Sequence, residues 1–413
     1  MAVAFSEVCA RARAASRALA LASRADKDAA LDAAARALVA GADRIAAENA
    51  ADVEAARARG TSPALVDRLV LDRGRVEAVA RSVREIAAEE DPVGQVLEDR
   101  ARPNGLRVRR VRVPLGVIGM IYEARPNVTA EAAALCLKSG NAVILRGGSE
   151  ALRTNAAIAE VIRAALPERF RDAVQIADAS RDSVLDMVRA EGAIDLVIPR
   201  GGEALIRFVT ENARVPVVQH YKGVCHLYVD AGADVEQATR IVVNAKLSRP
   251  GVCNALECLL VDRADAARVL PRIADALLAG GCELRGCPET CAIVPRAKPA
   301  APDDFGREFL DRVLAVRVVS GLDGALEHIA RYGSGHTEAI CTRDPAHAER
   351  FRAAVDAACV VVNASTRFHD GGELGLGAEI GIATSRLHWR GPMGLESLTT
   401  MKWLVDGDGQ TRT

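Results

Sequence analysis

Aromatic residues make up only 3% of the 413 residues, and the formal net charge is −1. The chain therefore lacks both the basic surplus and the interleaved aromatic rings of a nucleic-acid binder. No apolar run approaches the roughly 18 residues of a membrane span. The start, Met1-Ala2-Val3-Ala4-Phe5-Ser6-Glu7, lacks the basic-then-apolar order of a signal peptide. No nucleic-acid or membrane partner is expected, and cytoplasmic residence is. The ten cysteines contain no CxxC pair and are expected to be free thiols in a reducing compartment. Cys282, Cys287 and Cys291 cluster, but no second pair at ligand spacing accompanies them, so no metal is expected. No GxGxxG follows a strand, which removes the standard dinucleotide fingerprint. There is also no Ser/His/Asp signature and no histidine pair at metal spacing.

What is present is the balance of a soluble globular protein, 50% hydrophobic and 26% charged. The length calls for two domains with a small appendage. Residues 1 to about 90 read as amphipathic helices, among them Lys27 to Asn49 and one opened by Ser62-Pro63. Their charges read as solvated faces. From Arg107 to Pro114 valine alternates with arginine, a period-2 strand after a turn at Pro103-Asn104-Gly105. Such a ribbon is marginal alone and is expected to pack on something, such as another subunit.

An α/β rhythm begins at Gly116. Strands are expected at 116–122, 142–145, 174–176, 194–198 and 215–218, with helices between, one running from Thr129 to Lys138 and ending at Gly140. A second rhythm places strands at 258–261, 292–294, 314–319, 339–341 and 360–362. Residues 366–395 are too long for an ordinary connection and read as a functional loop; Thr399 to Val405 is strand-like. The fold class is α/β, with doubly wound, mostly parallel sheets that bind nucleotides at the carboxyl ends of their strands.

Two turns, Arg146-Gly147-Gly148-Ser149 and Arg200-Gly201-Gly202-Glu203, each follow a strand and open a helix. Glycine lets amides approach a phosphate, and the helix terminus favours negative charge; tight strand-to-helix turns also use glycine for packing alone. Asn127 follows the first strand and suits an oxyanion donor or a helix cap. His336 stands alone and reads as structural. Cys253 follows the Pro250-Gly251 turn at the mouth of a strand, open to a small carbonyl, whereas a cysteine taken at random is usually a small buried hydrophobe. Cys258, five residues further on the opposite face, reads as core.

Long stretches then carry a resemblance. Val113 to Asn127, Leu137 to Gly148, Arg249 to Glu257, Gly375 to Gly381 and Arg390 to Glu396 resemble the γ-glutamyl phosphate reductase family, the glutamate-5-semialdehyde dehydrogenases of proline biosynthesis within the aldehyde dehydrogenase superfamily. The resemblance spans essentially the whole chain. It implies an aldehyde-dehydrogenase-like fold of two doubly wound domains plus a small β oligomerisation ribbon, hence a homo-oligomer. Domain bounds are expected at 1–250 (cofactor, with the ribbon at 93–114 inserted), 251–384 (catalysis) and 385–413 (return segment and last strand). It further implies NADPH-dependent reduction of L-glutamyl 5-phosphate to L-glutamate 5-semialdehyde and phosphate. Cys253 falls on the superfamily's catalytic cysteine, Asn127 on its oxyanion asparagine, Glu308 on the glutamate at the nicotinamide ribose, and Arg146 near the adenosine ribose. Arg146 and Ser149 suit a 2′-phosphate, while Glu150 beside them opposes it.

One departure narrows the reaction. Hydrolytic relatives carry a glutamate base in a Glu-Leu-Gly-Gly motif, and the matching stretch here, Gln219-His220-Tyr221-Lys222-Gly223, has no carboxylate. Water attacking a thioester needs a base, whereas phosphate does not. Arg125, Arg249 and Arg367 are the candidates for substrate phosphate and α-carboxylate, by residue type and loop position. The rival readings are a hydrolytic aldehyde dehydrogenase and a silent scaffold that binds glutamate 5-kinase, the pathway neighbour.

Overall fold

The computed structural model describes residues 4–123, 125–219 and 221–412. Five helices come first: α1 (Phe5–Leu19), α2 (Arg24–Ala40), α3 (Ala42–Ala58), α4 (Pro63–Leu69) and α5 (Arg73–Ala88). Local chemistry sets their ends. Ser23 and Asp26 form a capping box at α2, Asp72 accepts the Arg75 N–H at 2.8 Å to cap α5, and Pro63 begins α4, where a missing N–H costs nothing. Buried alanines such as Ala12, Ala34, Ala35 and Ala80 let the helices approach closely.

A hairpin of β1 (Val96–Ala101) and β2 (Arg107–Pro114) precedes the first sheet. That sheet comprises β3 (Val117–Tyr122), β4 (Ala142–Gly147), β5 (Val174–Ile176) and β6 (Leu196–Arg200), parallel in the order β5-β4-β3-β6. Helices α6 (Asn127–Lys138), α7 (Leu152–Ala165), α8 (Arg181–Val188) and α9 (Glu203–Asn212) connect and follow the strands. Every residue of β3 is buried, as a strand covered on both faces requires. The expected strand at 215–218 reduces to a single bridge, Val217 to Val197.

The second sheet is built from β7 (Cys225–Val229), β8 (Leu256–Asp262), β9 (Glu283–Gly286), β10 (Lys298–Pro299), β11 (Val313–Val319), β12 (Thr337–Cys341) and β13 (Cys359–Val362), in the parallel order β10-β9-β11-β8-β7-β12-β13. Its helices are α10 (Val235–Leu247), α11 (Ala266–Ala279), α12 (Pro288–Ile293), α13 (Gly321–Tyr332) and α14 (Pro345–Ala354).

Three expectations are corrected. The chain changes sheets between Val218 and Cys225, because β7 pairs with β8 and β12; the boundary expected at 250 lies about one strand and one helix too late. Residues 292–294 are not a strand: Pro288 at the first helical position opens α12, which runs to Ile293. The return segment begins before 385, since Ile380 and Ala383 already pack into the first domain's core.

Short strands β14 (Ile382–Ala383) and β15 (Gly391–Pro392) lie in that return, and β16 (Thr399–Asp406) completes the hairpin as a three-stranded sheet, β1-β2-β16. The arginines of β2 meet carboxylates within this ribbon: Arg107 with Asp99 (2.6 Å), Arg109 with Asp406 (2.8 Å), Arg112 with Glu396 (2.7 Å), and Arg110 with Glu98. No helix among the described residues is long and apolar enough to cross a membrane.

Candidate active site

The loop before β8 holds Cys253 in a turn closed by the Ala255 N–H donating to the Val252 carbonyl (3.0 Å). The thiol is partly buried, and three neighbours fix its backbone. The Cys225 thiol donates to the Cys253 carbonyl at 3.2 Å. Gly223 packs so tightly that a Cβ there would run into that same carbonyl. Asn254 donates to the His369 carbonyl (3.0 Å) and its backbone carbonyl accepts from the Thr366 hydroxyl (2.7 Å), which draws residues 366–369 to the Cys253 loop.

Behind the loop, Lys246 and Glu257 form an ion pair of 2.6 Å with both side chains fully buried. Glu257 also accepts the Leu310 N–H at 3.1 Å, and Leu310 sits at φ 54°, in the left-handed region. That strap holds Glu308, which accepts the Gly223 N–H at 2.9 Å. Burial raises the Glu308 carboxyl above its ordinary range, against the pull of Gly223 and Lys222.

Burial likewise raises the Cys253 thiol; Arg200 draws it down, while Glu308 and Glu379 push it up. Arg125 is held below the usual arginine range by the packing around it and by three further guanidiniums, those of Arg200, Arg68 and Arg249, with Cys253 as the opposing anion. Arg68 of α4 lies with Nη2 3.9 Å from where a Cβ of Gly251 would stand. Arg200 lies against Gly381, whose Cβ would come within 2.7 Å of Nη1 and whose φ of 148° favours glycine. Three arginines thus gather about Arg125, and two of the four, Arg125 and Arg200, act on the thiol; the set suits a substrate with more than one negative charge. A partly buried carboxylate, Glu379, acts on the same thiol from the return segment; it accepts the Gly371 N–H at 3.0 Å, and burial raises it.

Cys253, Arg125, Arg200, Arg249 and Glu308 therefore gather at one place, and Arg367 is brought alongside through the bond from Asn254 to its carbonyl (3.4 Å). Arg200, assigned from sequence to a phosphate turn, is instead a neighbour of the thiol. Asn127 is the first residue of α6, and its amide donates to Glu131 at 3.1 Å rather than capping the helix.

The Arg146 turn lies apart, at the carboxyl end of β4. Arg146 donates to the carbonyls of Ala179 (2.7 Å) and Ser180 (3.0 Å), and Gly147 makes room for Asn155. Glu150 folds over Gly148, and Ser149 begins a short 3₁₀ turn. At the second turn Gly201 accommodates Glu123, whereas Gly202 faces open space at the start of α9. These two turns stand at the carboxyl ends of β4 and β6, where the α9 terminus suits a dinucleotide phosphate; the Gly202 amide is held by the Glu123 carboxylate at 3.3 Å.

Sequence reasoning missed Arg68, Glu379 and the Lys246–Glu257 pair. Glu379 stood within a motif that carried the resemblance, without a role. Nothing local distinguishes Arg68 from the other arginines of the N-terminal helices.

Two parallel sheets, a thiol at the amino end of a central strand and a pair of nucleotide-type turns define a class. The profile of the Aldehyde dehydrogenase family matches residues 2–281, and the chain belongs to that family. Within it the chain groups with the γ-glutamyl phosphate reductases. It is 62% identical to the gamma-glutamyl phosphate reductase of Sorangium cellulosum, covering 98% of this chain and 97% of that one. It is 57% identical to that of Anaeromyxobacter sp., covering 97% and 95%. The crystal structure of gamma-glutamyl phosphate reductase from Thermotoga maritima superposes with a TM-score of 0.98 at 46% identity, covering 99% of this chain and 100% of that one.

Proposed function

We propose that the protein reduces L-glutamyl 5-phosphate to L-glutamate 5-semialdehyde and phosphate, using NADPH, as a step of proline biosynthesis from glutamate. The observation that carries this reading is the gathering of Arg68, Arg200 and Arg249 about Arg125, with Arg125 and Arg200 acting on Cys253. An acyl phosphate with an α-carboxylate presents charge at both ends, and guanidinium forks answer both.

The Cys253 thiolate attacks the acyl carbon; the C–S bond forms, and the bond to the phosphate oxygen breaks. Arg200 favours the thiolate against the burial that disfavours it. The developing oxyanion is met by the Cys253 N–H and by Asn127, whose amide leaves Glu131 to reach it. Bound NADPH supplies the hydride. With the new C–H bond made, the C–S bond breaks, the aldehyde departs and Cys253 returns as thiolate. Glu308, tied to Gly223, suits the nicotinamide ribose, while Arg146, Gly147, Gly148, Ser149, Gly201 and Gly202 suit the remainder of the cofactor. NADPH rather than NADH requires Glu150 to turn away so that Arg146 and Ser149 meet a 2′-phosphate. Arg367 completes the substrate contacts from the 366–369 segment.

A second reading has one observation in its favour: Glu379 is a carboxylate near the thiol with a raised pKa, a fit base for hydrolysis. Assayed in reverse on glutamate 5-semialdehyde, a phosphorylating enzyme requires phosphate or arsenate. Rapid NADP⁺ reduction in water alone would give the site to hydrolysis through Glu379.

The substrate itself must come from a kinase acting on glutamate, which makes glutamate 5-kinase the natural partner. The outer strand β16 exposes Met401 (47%), Trp403 (53%) and Val405 (57%), which suits a homo-oligomer built on this ribbon.

A further inference from the structure

A polar row crosses the second sheet beneath α13 and takes no part in the chemistry above. Glu338 on β12, His226 on β7 and Cys258 on β8 are register neighbours on three adjacent parallel strands. All three are completely buried, and His328 of α13, only 5% exposed, lies over them. Glu338 Oε2 accepts the His226 backbone N–H (2.9 Å) and stands 3.0 Å from His226 Nδ1. This turns Nε2 to the other side, towards Cys258, with no hydrogen bond of normal geometry among the described residues. Cys258 Sγ lies 3.6 Å from His328 Nε2. One ligating atom each from His226, Cys258 and His328 falls within 4.8 Å of the other two.

Polar side chains held this deep cost stability that well-packed apolar residues would not. We propose that His226, Cys258 and His328 form a zinc site, with Glu338 holding His226 from behind. Bonds of about 2.0–2.3 Å at a tetrahedral ion put ligand atoms roughly 3.3–3.8 Å apart. Cys258 and His328 already stand at that spacing, 3.6 Å, and the His226 ligand atom lies within 4.8 Å of both. The donor set of one thiolate and two imidazoles selects a borderline-soft ion over magnesium or calcium. A carboxylate behind a ligating histidine is the usual support of such a ligand.

Binding displaces to solvent the Cys258 proton and any proton carried on His226 Nε2, and changes no oxidation state. The thiolate and the Glu338 carboxylate then balance the ion's two charges. Arg317, whose Nη1 lies 3.4 Å from His328 Nδ1, must yield that contact, because the ligated ring carries its proton there. A cavity of about 410 Å³, lined in part by Leu326, Gly333, Glu338 and Arg386, reaches Glu338 and provides the entry path. The ion would fasten α13 to β7 and β8, the strands that follow Gly223 and Cys253.

The test is metal analysis of the full chain after exposure to zinc and exhaustive dialysis, with cobalt(II) as a spectroscopic probe. The expected result is about one zinc per chain, and with cobalt a thiolate charge-transfer band and the visible absorption of a tetrahedral site. Cys258→Ser and His328→Asn should each abolish both. Glu338→Gln should keep the site but weaken it about 10- to 100-fold. Failure of the dialysed wild-type chain to retain zinc would overturn the proposal without recourse to any variant. So would undiminished zinc and an unchanged cobalt spectrum in Cys258→Ser, which would place the metal on other thiols such as Cys282, Cys287 or Cys291.

Discussion

Lys246→Met should destabilise the protein in a way that depends on pH, and the sign follows from the buried pair behind the nucleophile loop. Methionine keeps the length and removes the charge. Glu257 is fully buried, and burial raises its carboxyl from 4.5 to about 7 despite the ion pair with Lys246. An acid raised in the folded state contributes stability that is fully present below its unfolded pKa and is lost as pH rises toward the folded value. In the wild type that loss runs from about pH 4.5 to about pH 7 and then stops. Without Lys246 the folded pKa rises further, so the loss continues above pH 7 at about 1.4 kcal/mol per pH unit. Denaturant unfolding of both proteins at pH 6 and pH 8 reads the difference directly. The gap between variant and wild type should widen by about 1.4 kcal/mol over that interval, a factor of ten in the folding equilibrium. A gap that stays constant would mean that Glu257 is ionised throughout and that burial does not outweigh Lys246.

Further outcomes concern the site itself. Cys253→Ala should fold normally and lose all reductase activity. Arg68→Ala should raise KM for the acyl phosphate about 10- to 100-fold with kcat nearly unchanged, the size of one lost charge-assisted hydrogen bond; an unchanged KM would remove Arg68 from the substrate. Asn127→Ala should lower kcat about 10²- to 10³-fold with cofactor binding preserved, whereas the reverse pattern would make Asn127 structural. Gly223→Ala should depress kcat by forcing the Cys253 carbonyl aside, measurable together with an altered rate of Cys253 alkylation.

Continuous apolar runs made the strands of the first sheet legible, because a strand covered on both faces has few other ways to read. Cys225-His226-Leu227-Tyr228-Val229 escaped notice since its polar residues are buried by partners on other elements, chiefly Glu338, which no local pattern reveals. Ala292-Ile293-Val294 suggested a strand by composition, and Pro288, four residues before it, decided for a helix. The alternation of β2 was clear, but its pairing with β16, almost 300 residues away, was not. At the site, Cys253 stood out by its turn and by resemblance. Arg200 looked like part of a phosphate turn until the fold brought Gly381 against it. Arg68 was invisible, since what matters is where α4 ends up.

The crossing between the two sheets has a mechanical consequence. Gln219 on the outgoing chain accepts from Thr384 on the returning one (3.2 Å), so both connections pass side by side, and the outgoing one continues within four residues to Gly223 beneath the nucleophile. Any shear between the two sheets therefore bears first on this paired connection and, through Gly223, on the Cys253 carbonyl.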